Sequence, residues 1–186
     1  MKRIFDAQLI GPFAAMVIVA VIVALTTERF LNPGNLSNLS LQVSIVALIA
    51  IGSTIVIFAA GIDLSSGSMI ALLTMILAQM LKFIGIPLVL AVPLILFVGG
   101  LLGLFIGLIT AYGRIPSFIT TLAGLIAFRG LALTFNNGSP IFSLDPALEP
   151  IFYGKLAGIP LPFFYLVFFY ALAAFAMNYT KLGREI

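Results

Sequence analysis

Asp63, Ser65, Ser66 and Arg129 are the side chains of this chain whose types and positions allow chemistry where chemistry is unexpected. Asp63, Ser65 and Ser66 sit in the break Gly61-Ile62-Asp63-Leu64-Ser65-Ser66-Gly67-Ser68, between two long apolar runs. A carboxylate there needs water, a partner or a helix terminus, because a bare charge in hydrocarbon is costly. Two roles fit Asp63. It can end a helix, with the dipole favouring the anion and Ser65 or Ser66 capping free amides, or it can line or gate a path. Arg129 lies inside another apolar run, six residues before Phe135, roughly 9 Å from that end by helical rise. It can snorkel outward, hold a structural hydrogen bond or serve transport. The simple topology sets Asp63 near the inner side and Arg129 nearer the outer, which argues against a direct pair.

The rest of the composition narrows the chemistry. The chain has 186 residues, 62% hydrophobic and 8% charged, with no cysteine and no histidine. Disulfides, thiolate nucleophiles, imidazole bases and the commonest transition-metal ligands are thereby removed. No catalytic residue, metal site or cofactor is expected. A membrane-embedded enzyme would need convergent acids, bases or ligands, and only Asp63 and Arg129 lie at or near membrane depth. The net charge of +3 belongs to basic residues flanking spans, so no nucleic-acid partner is expected.

These residues require a membrane scaffold. An all-α membrane protein of about six spans fits the length, with a polar break between the second and third. The spans are expected at about 9–25, 41–60, 67–81, 88–112, 118–135 and 162–177, all within one membrane domain covering 1–186. No small-residue cleavage site follows the first apolar run, so it reads as a retained helix. Asn32-Pro33-Gly34-Asn35-Leu36-Ser37-Asn38 reads as a turn cluster with good helix-capping residues ahead of the second span. Leu41 to Leu81 as one helix would reach roughly 60 Å, twice the hydrocarbon thickness, so the break must reverse or interrupt the chain. Lys82 to Pro87 reads as a short connection. Pro93 predicts a kink in the fourth span, and Asn136-Asn137-Gly138-Ser139-Pro140 stops the fifth.

Gly99, Gly103 and Gly107 recur every four residues on one face of the fourth span, with Gly100 beside them. The stripe fits helix packing, and glycines also permit sliding beside a path. Asp145, Glu149 and Lys155 lie in the longer loop after the fifth span; a solvated, ordered loop or docking to an extracytoplasmic partner would explain them. An inside N-terminus gives the cytoplasmic face Lys2, Arg3, Arg114, Lys181 and Arg184, and the outer face Arg29, Lys82 and Lys155. That bias predicts a cytoplasmic N-terminus and an outward loop from Asn136 to Pro160.

The break resembles the Gly-Ile-Asp-Leu-Ser-Val-Gly-Ser signature of bacterial ABC-transporter permeases of the ribose and monosaccharide type. Arg114-Ile115-Pro116-Ser117-Phe118-Ile119-Thr120-Thr121-Leu122 is similar to that family's Arg-Ile-Pro-Pro-Phe-Ile-Val-Thr-Leu segment, Phe128-Arg129-Gly130-Leu131 falls where it carries Arg-Gly, and Thr180-Lys181-Leu182-Gly183-Arg184 resembles its Thr-x-x-Gly-Arg. Ser66 departs from the usual Val, and Ala123 from a common Gly. The resemblance implies a permease subunit of an ABC importer for a monosaccharide or related sugar in the bacterial inner membrane. It implies a cytoplasmic ATP-binding subunit, an extracytoplasmic sugar-binding protein and a second permease subunit as partners. The chain has no Gly-x-x-x-x-Gly-Lys-Ser/Thr loop for ATP. The family continues past Gly-Arg into a Tyr-Ala-x-Gly-Gly-Asn stretch and a Glu-Ala-Ala-like loop that docks the ATPase. Neither follows Ile186, so the expectation is an N-terminal portion of a permease; the alternative is a truncated, non-transporting fragment or scaffold.

Overall fold

The structure is a computed structural model that describes residues 7–142 and 146–185. Lys2, Arg3 and Asp145, named above for orientation and loop charge, lie outside the described residues. Among the described residues the chain is helical almost throughout, and five helices are long and apolar enough to cross a membrane, with a shorter apolar helix over Ile10–Thr26. This is an all-α membrane protein; the one strand pairing among the described residues is a short antiparallel hairpin, Lys155–Leu156 against Ile159–Pro160.

Helix α1 spans Ala7–Thr26, and α2 spans Pro33–Phe58. The start of α2 at Pro33, well before Leu41, corrects the turn expected there. Asn32 accepts the Gly34 amide on its side chain and Pro33 takes the first helical position, where its missing N–H costs nothing. The residues that read as a turn are absorbed into the helix, with Asn35 Nδ2 donating back to Phe30 O; beyond them Ser40 Oγ donates to Leu36 O and Ser44 Oγ to Ser40 O.

The other end of α2 is a Schellman cap, with Ala60 N donating to Ile57 O and Gly61 N to Val56 O. Irregular backbone then runs to Ser65, and α3 follows over Ser66–Gln79. A π-helical turn, Met80–Ile84, prolongs that helix, so Lys82 belongs to it and not to a connection. Gly85 ends it in the left-handed region at φ 77°, with Ile86 N bonded to Met80 O. Helix α4 spans Leu88–Gly113 and carries Pro93 within it; α5 spans Ser117–Thr134, followed by a 3₁₀ turn, Phe135–Gly138. The short helix α6 (Leu148–Tyr153) and the hairpin lead into α7 (Leu161–Tyr179) and α8 (Lys181–Glu185).

Two packing units organise these helices. The tighter one is α3 against α5, with α4 beside both. Leu72, Phe128 and Ala132 form its buried centre, surrounded by residues such as Met69, Met75, Leu102 and Ile106. In the looser one α7 packs on α2, and the hairpin strand Ile159–Pro160 touches both. Lys82 Nζ donates to Phe142 O, which ties the π turn to the loop that follows the 3₁₀ turn. The opposite end of that unit carries the break and the α4–α5 turn, and there the polar residues converge.

Candidate functional site

The break is held by the first turns of α5. Ile62 lies between helices, so neither its N–H nor its C=O has a helical partner, and each must be satisfied by a side chain or by water. Ser117 Oγ accepts the Ile62 amide at 3.0 Å, and Thr121 Oγ1 donates to the Ile62 carbonyl at 3.1 Å. The two hydroxyls are four residues apart, so they share one face of α5. Thr121 is buried; Ser117 is half-buried. Neither stood out in the sequence as a site residue, although both belong to the Arg114 to Leu122 segment; two serine or threonine residues at helical spacing just after a proline were the available signal.

Asp63 and Ser65 organise the other side of the break. Asp63 Oδ1 accepts from the Ser65 amide at 2.8 Å and from Ser65 Oγ at 2.7 Å. The expected capping roles are thus redistributed. Ser65 stands at the N-cap of α3, but its hydroxyl turns back to Asp63 and caps no helical amide. The carboxylate closes a turn before α3 begins. Ser65 O then accepts from Met69 N at 2.8 Å and Ser68 Oγ at 2.9 Å. Ser66 begins α3 half-buried and makes no side-chain cap.

Burial of Ser65 to 1% exposure depends on a glycine in the facing helix. A Cβ at Gly124 would stand 3.2 Å from Ser65 Cβ and 3.0 Å from Ile106 Cδ1, closer than ordinary contact. Gly124 therefore lets α5 approach the start of α3 while α4 lies against both. One turn away, Thr110 Oγ1 and Thr120 Oγ1 share a hydrogen bond of 2.7 Å that joins α4 to α5.

These elements border a cavity of about 680 Å³. Its walls are the end of α2, the break with Asp63 and Ser65, the α4 face bearing Gly103, Gly107 and Thr110, and Arg114 with Ser117 and Thr121. Asp63, Arg114 and several serine and threonine residues thus border one apolar-walled space, a lining suited to a hydrated polar solute. Arg114 was legible as an orientation charge and as the first residue of the Arg-Ile-Pro segment, not as a cavity residue; the left-handed turn that ends α4 holds it at the rim. Two non-glycine residues at this rim have positive φ, Ala60 at 55° and Arg114 at 51°. Each such conformation costs about 1–2 kcal/mol for an L-residue and persists where the surroundings hold it.

The remaining expected residues fall elsewhere. Arg129 is exposed on α5 and does not border the cavity. Among the described residues it forms no ion pair with Asp63. The glycine stripe divides. A Cβ at Gly99 would meet Leu73 Cδ1 at 3.0 Å, whereas Gly103 and Gly107 have open space before them and border the cavity. A second cavity of about 810 Å³ lies between α2 and α7, with Thr54 and Asn178 among mostly apolar walls. No group of metal-ligating side chains occurs among the described residues.

Comparison with known proteins supplies an independent line. Residues 35–186 match the family described as branched-chain amino acid transport system / permease component. The chain is 38% identical over 178 residues to the ribose import permease protein of Haemophilus influenzae, covering 94% of this chain and 55% of the relative. It is 38% identical over 189 residues to that of Bacillus subtilis, covering 99% of the chain and 58% of the relative. Against the xylose transport system permease protein of Escherichia coli K12 it is 38% identical over 147 residues, 78% of the chain and 37% of the relative. The chain thus spans a little over half the length of the ribose permeases it matches. No solved structure matches it.

Proposed function

The chain belongs to the family of branched-chain amino acid transport system permease components, and from that premise we propose that it forms part of the membrane path of an ABC importer for a monosaccharide or related sugar. The observation that carries this reading is the 38% identity to a ribose import permease along 94% of the chain. Transport would be powered by a separate cytoplasmic ATP-binding subunit, with sugar delivered by an extracytoplasmic binding protein and a second permease subunit completing the path. The location is the bacterial inner membrane.

Within that assembly the cavity beside the break is the part of this chain suited to a role in the path. Alternating access needs helices that can rock about close contacts, interrupted helices and a hydrated space. The interruption at Asp63, the open glycines of α4 and the hydroxyls of α5 meet those needs at one place. Asp63 and Ser65 hold the break in shape, and Ser66 starts the helix that leaves it. Arg129 stands on a face of α5 away from the cavity, so its part in transport would be played against another segment or subunit. The N-terminus is taken as cytoplasmic, with the break and the Arg114 turn at the inner face and residues 136–160 outside, supported by the sequence count of Lys2, Arg3, Arg114, Lys181 and Arg184 on the inner side against Arg29, Lys82 and Lys155 on the outer.

A chimera tests the function. Residues 1–186 joined to the remaining C-terminal part of the Bacillus subtilis ribose import permease, in cells lacking that permease, are expected to restore uptake of a labelled monosaccharide. Normal membrane levels with no uptake of any monosaccharide offered would overturn the reading. In the same chimera a cysteine at Asn137 is expected to react with an impermeant thiol reagent from outside and one at Lys181 is not; the reverse would invert the topology.

A further inference from the structure

We propose that Ser117 and Thr121 are positioning residues for the break: by holding both backbone polar groups of Ile62 they set how Asp63 stands in the cavity, and their release opens that end of the bundle. The transport role of this movement rests on the permease reading above.

The geometry that supports it is a two-sided grip. Ser117 accepts from the Ile62 amide and Thr121 donates to the Ile62 carbonyl, so the peptides on both sides of Ile62 are fixed by one helix. Asp63 follows directly, and among the described residues its carboxylate bonds only Ser65. A shift of Ile62 therefore carries Asp63 with it.

Release leaves Thr121 satisfied. Its hydroxyl has a second acceptor inside its own helix, Phe118 O at 3.4 Å, and a hydroxyl can rotate from one acceptor to the other. Ile62 borders the cavity, where water can replace the lost partners. An independent observation lies at the two ends of the grip. Ala60 precedes Ile62 by two residues and Arg114 precedes Ser117 by three, and both hold left-handed backbone that glycine would adopt more easily. Strained turns on both sides favour movement once the grip is lost.

The test uses the full-length permease in native membrane vesicles, with other cysteines replaced and Ile62→Cys as reporter; the present 186 residues contain no cysteine. Ser117→Ala and Thr121→Val are each expected to raise the rate of thiol labelling about fivefold, the population change that one net hydrogen bond represents. Thr121→Ser, which keeps the hydroxyl, is expected to label like the parent. Thr134→Val is the control, since Thr134 bonds only Leu131 O in its own turn. Maximal uptake is expected to fall about fivefold with Ser117→Ala and Thr121→Val while KM stays unchanged. Unchanged labelling in both at normal membrane levels, or Thr121→Ser behaving like Thr121→Val, would overturn the proposal. The labelling arm needs no transported sugar. Faster labelling in a protein that imports no monosaccharide would therefore uphold the positioning role while sinking the permease reading.

Discussion

Helices α1 and α5 have 20 and 18 residues and are both predominantly apolar, yet they stand in the structure in opposite ways. No described side chain of α1 is buried, and it makes no extended contact with another helix of the chain. Helix α5 buries Thr120, Thr121, Gly124, Phe128 and Ala132 and contacts both α3 and α4. Hydrophobicity does not account for the difference, because lipid tails are as apolar as leucine and give helices no reason to associate. What α5 has and α1 lacks is a glycine aligned with a partner and hydroxyls that reach across. Between Ile10 and Leu25 helix α1 carries no polar side chain.

The largest effect that would sharpen this contrast is expected from Gly124→Leu in the full-length permease. Its new atoms would run into Ser65 and Ile106, and overpacking of this kind typically costs about 1–3 kcal/mol. Thermal unfolding in detergent should show a clear loss, with less protein reaching the membrane. Unfolding at the parent's temperature would mean that α3 and α5 are not packed as described. The smallest effect is expected from Val19→Ala in α1, where the side chain is exposed; a change within about 0.5 kcal/mol is anticipated. A loss as large as that of Gly124→Leu would break the comparison, by revealing that α1 is packed in the whole protein.

The sequence made the helical membrane architecture and the interruption at Asp63 readable, because apolar runs of known length cannot exceed the bilayer and a carboxylate cannot sit unpartnered within it. The start of α2 was not readable in the same way. Asn32-Pro33 is both a turn signal and a helix cap, and the polar residues through Asn38 suit a loop as well as a first helical turn. Nor could spacing tell which glycines meet a neighbour. Gly99 and Gly103 are equivalent by periodicity, yet one faces Leu73 and the other a cavity, and the axis of the facing helix decides. The grip on Ile62 joins residues 55 and 59 positions apart, so no local pattern encodes it.

The same distinction between inert and specified apolar segments leads back to Asp63. If the break, the α5 hydroxyls and the cavity form one working unit, the carboxylate that shapes the break must matter to transport more than to insertion. Uptake by the full-length permease carrying Asp63→Asn, compared with the parent at matched membrane levels, is the direct measurement. Charge-assisted hydrogen bonds to a carboxylate are roughly twice as strong as neutral ones, so the account predicts a fall in uptake of about tenfold with insertion intact. Parental uptake at parental membrane levels would contradict it and reduce Asp63 to a dispensable turn residue.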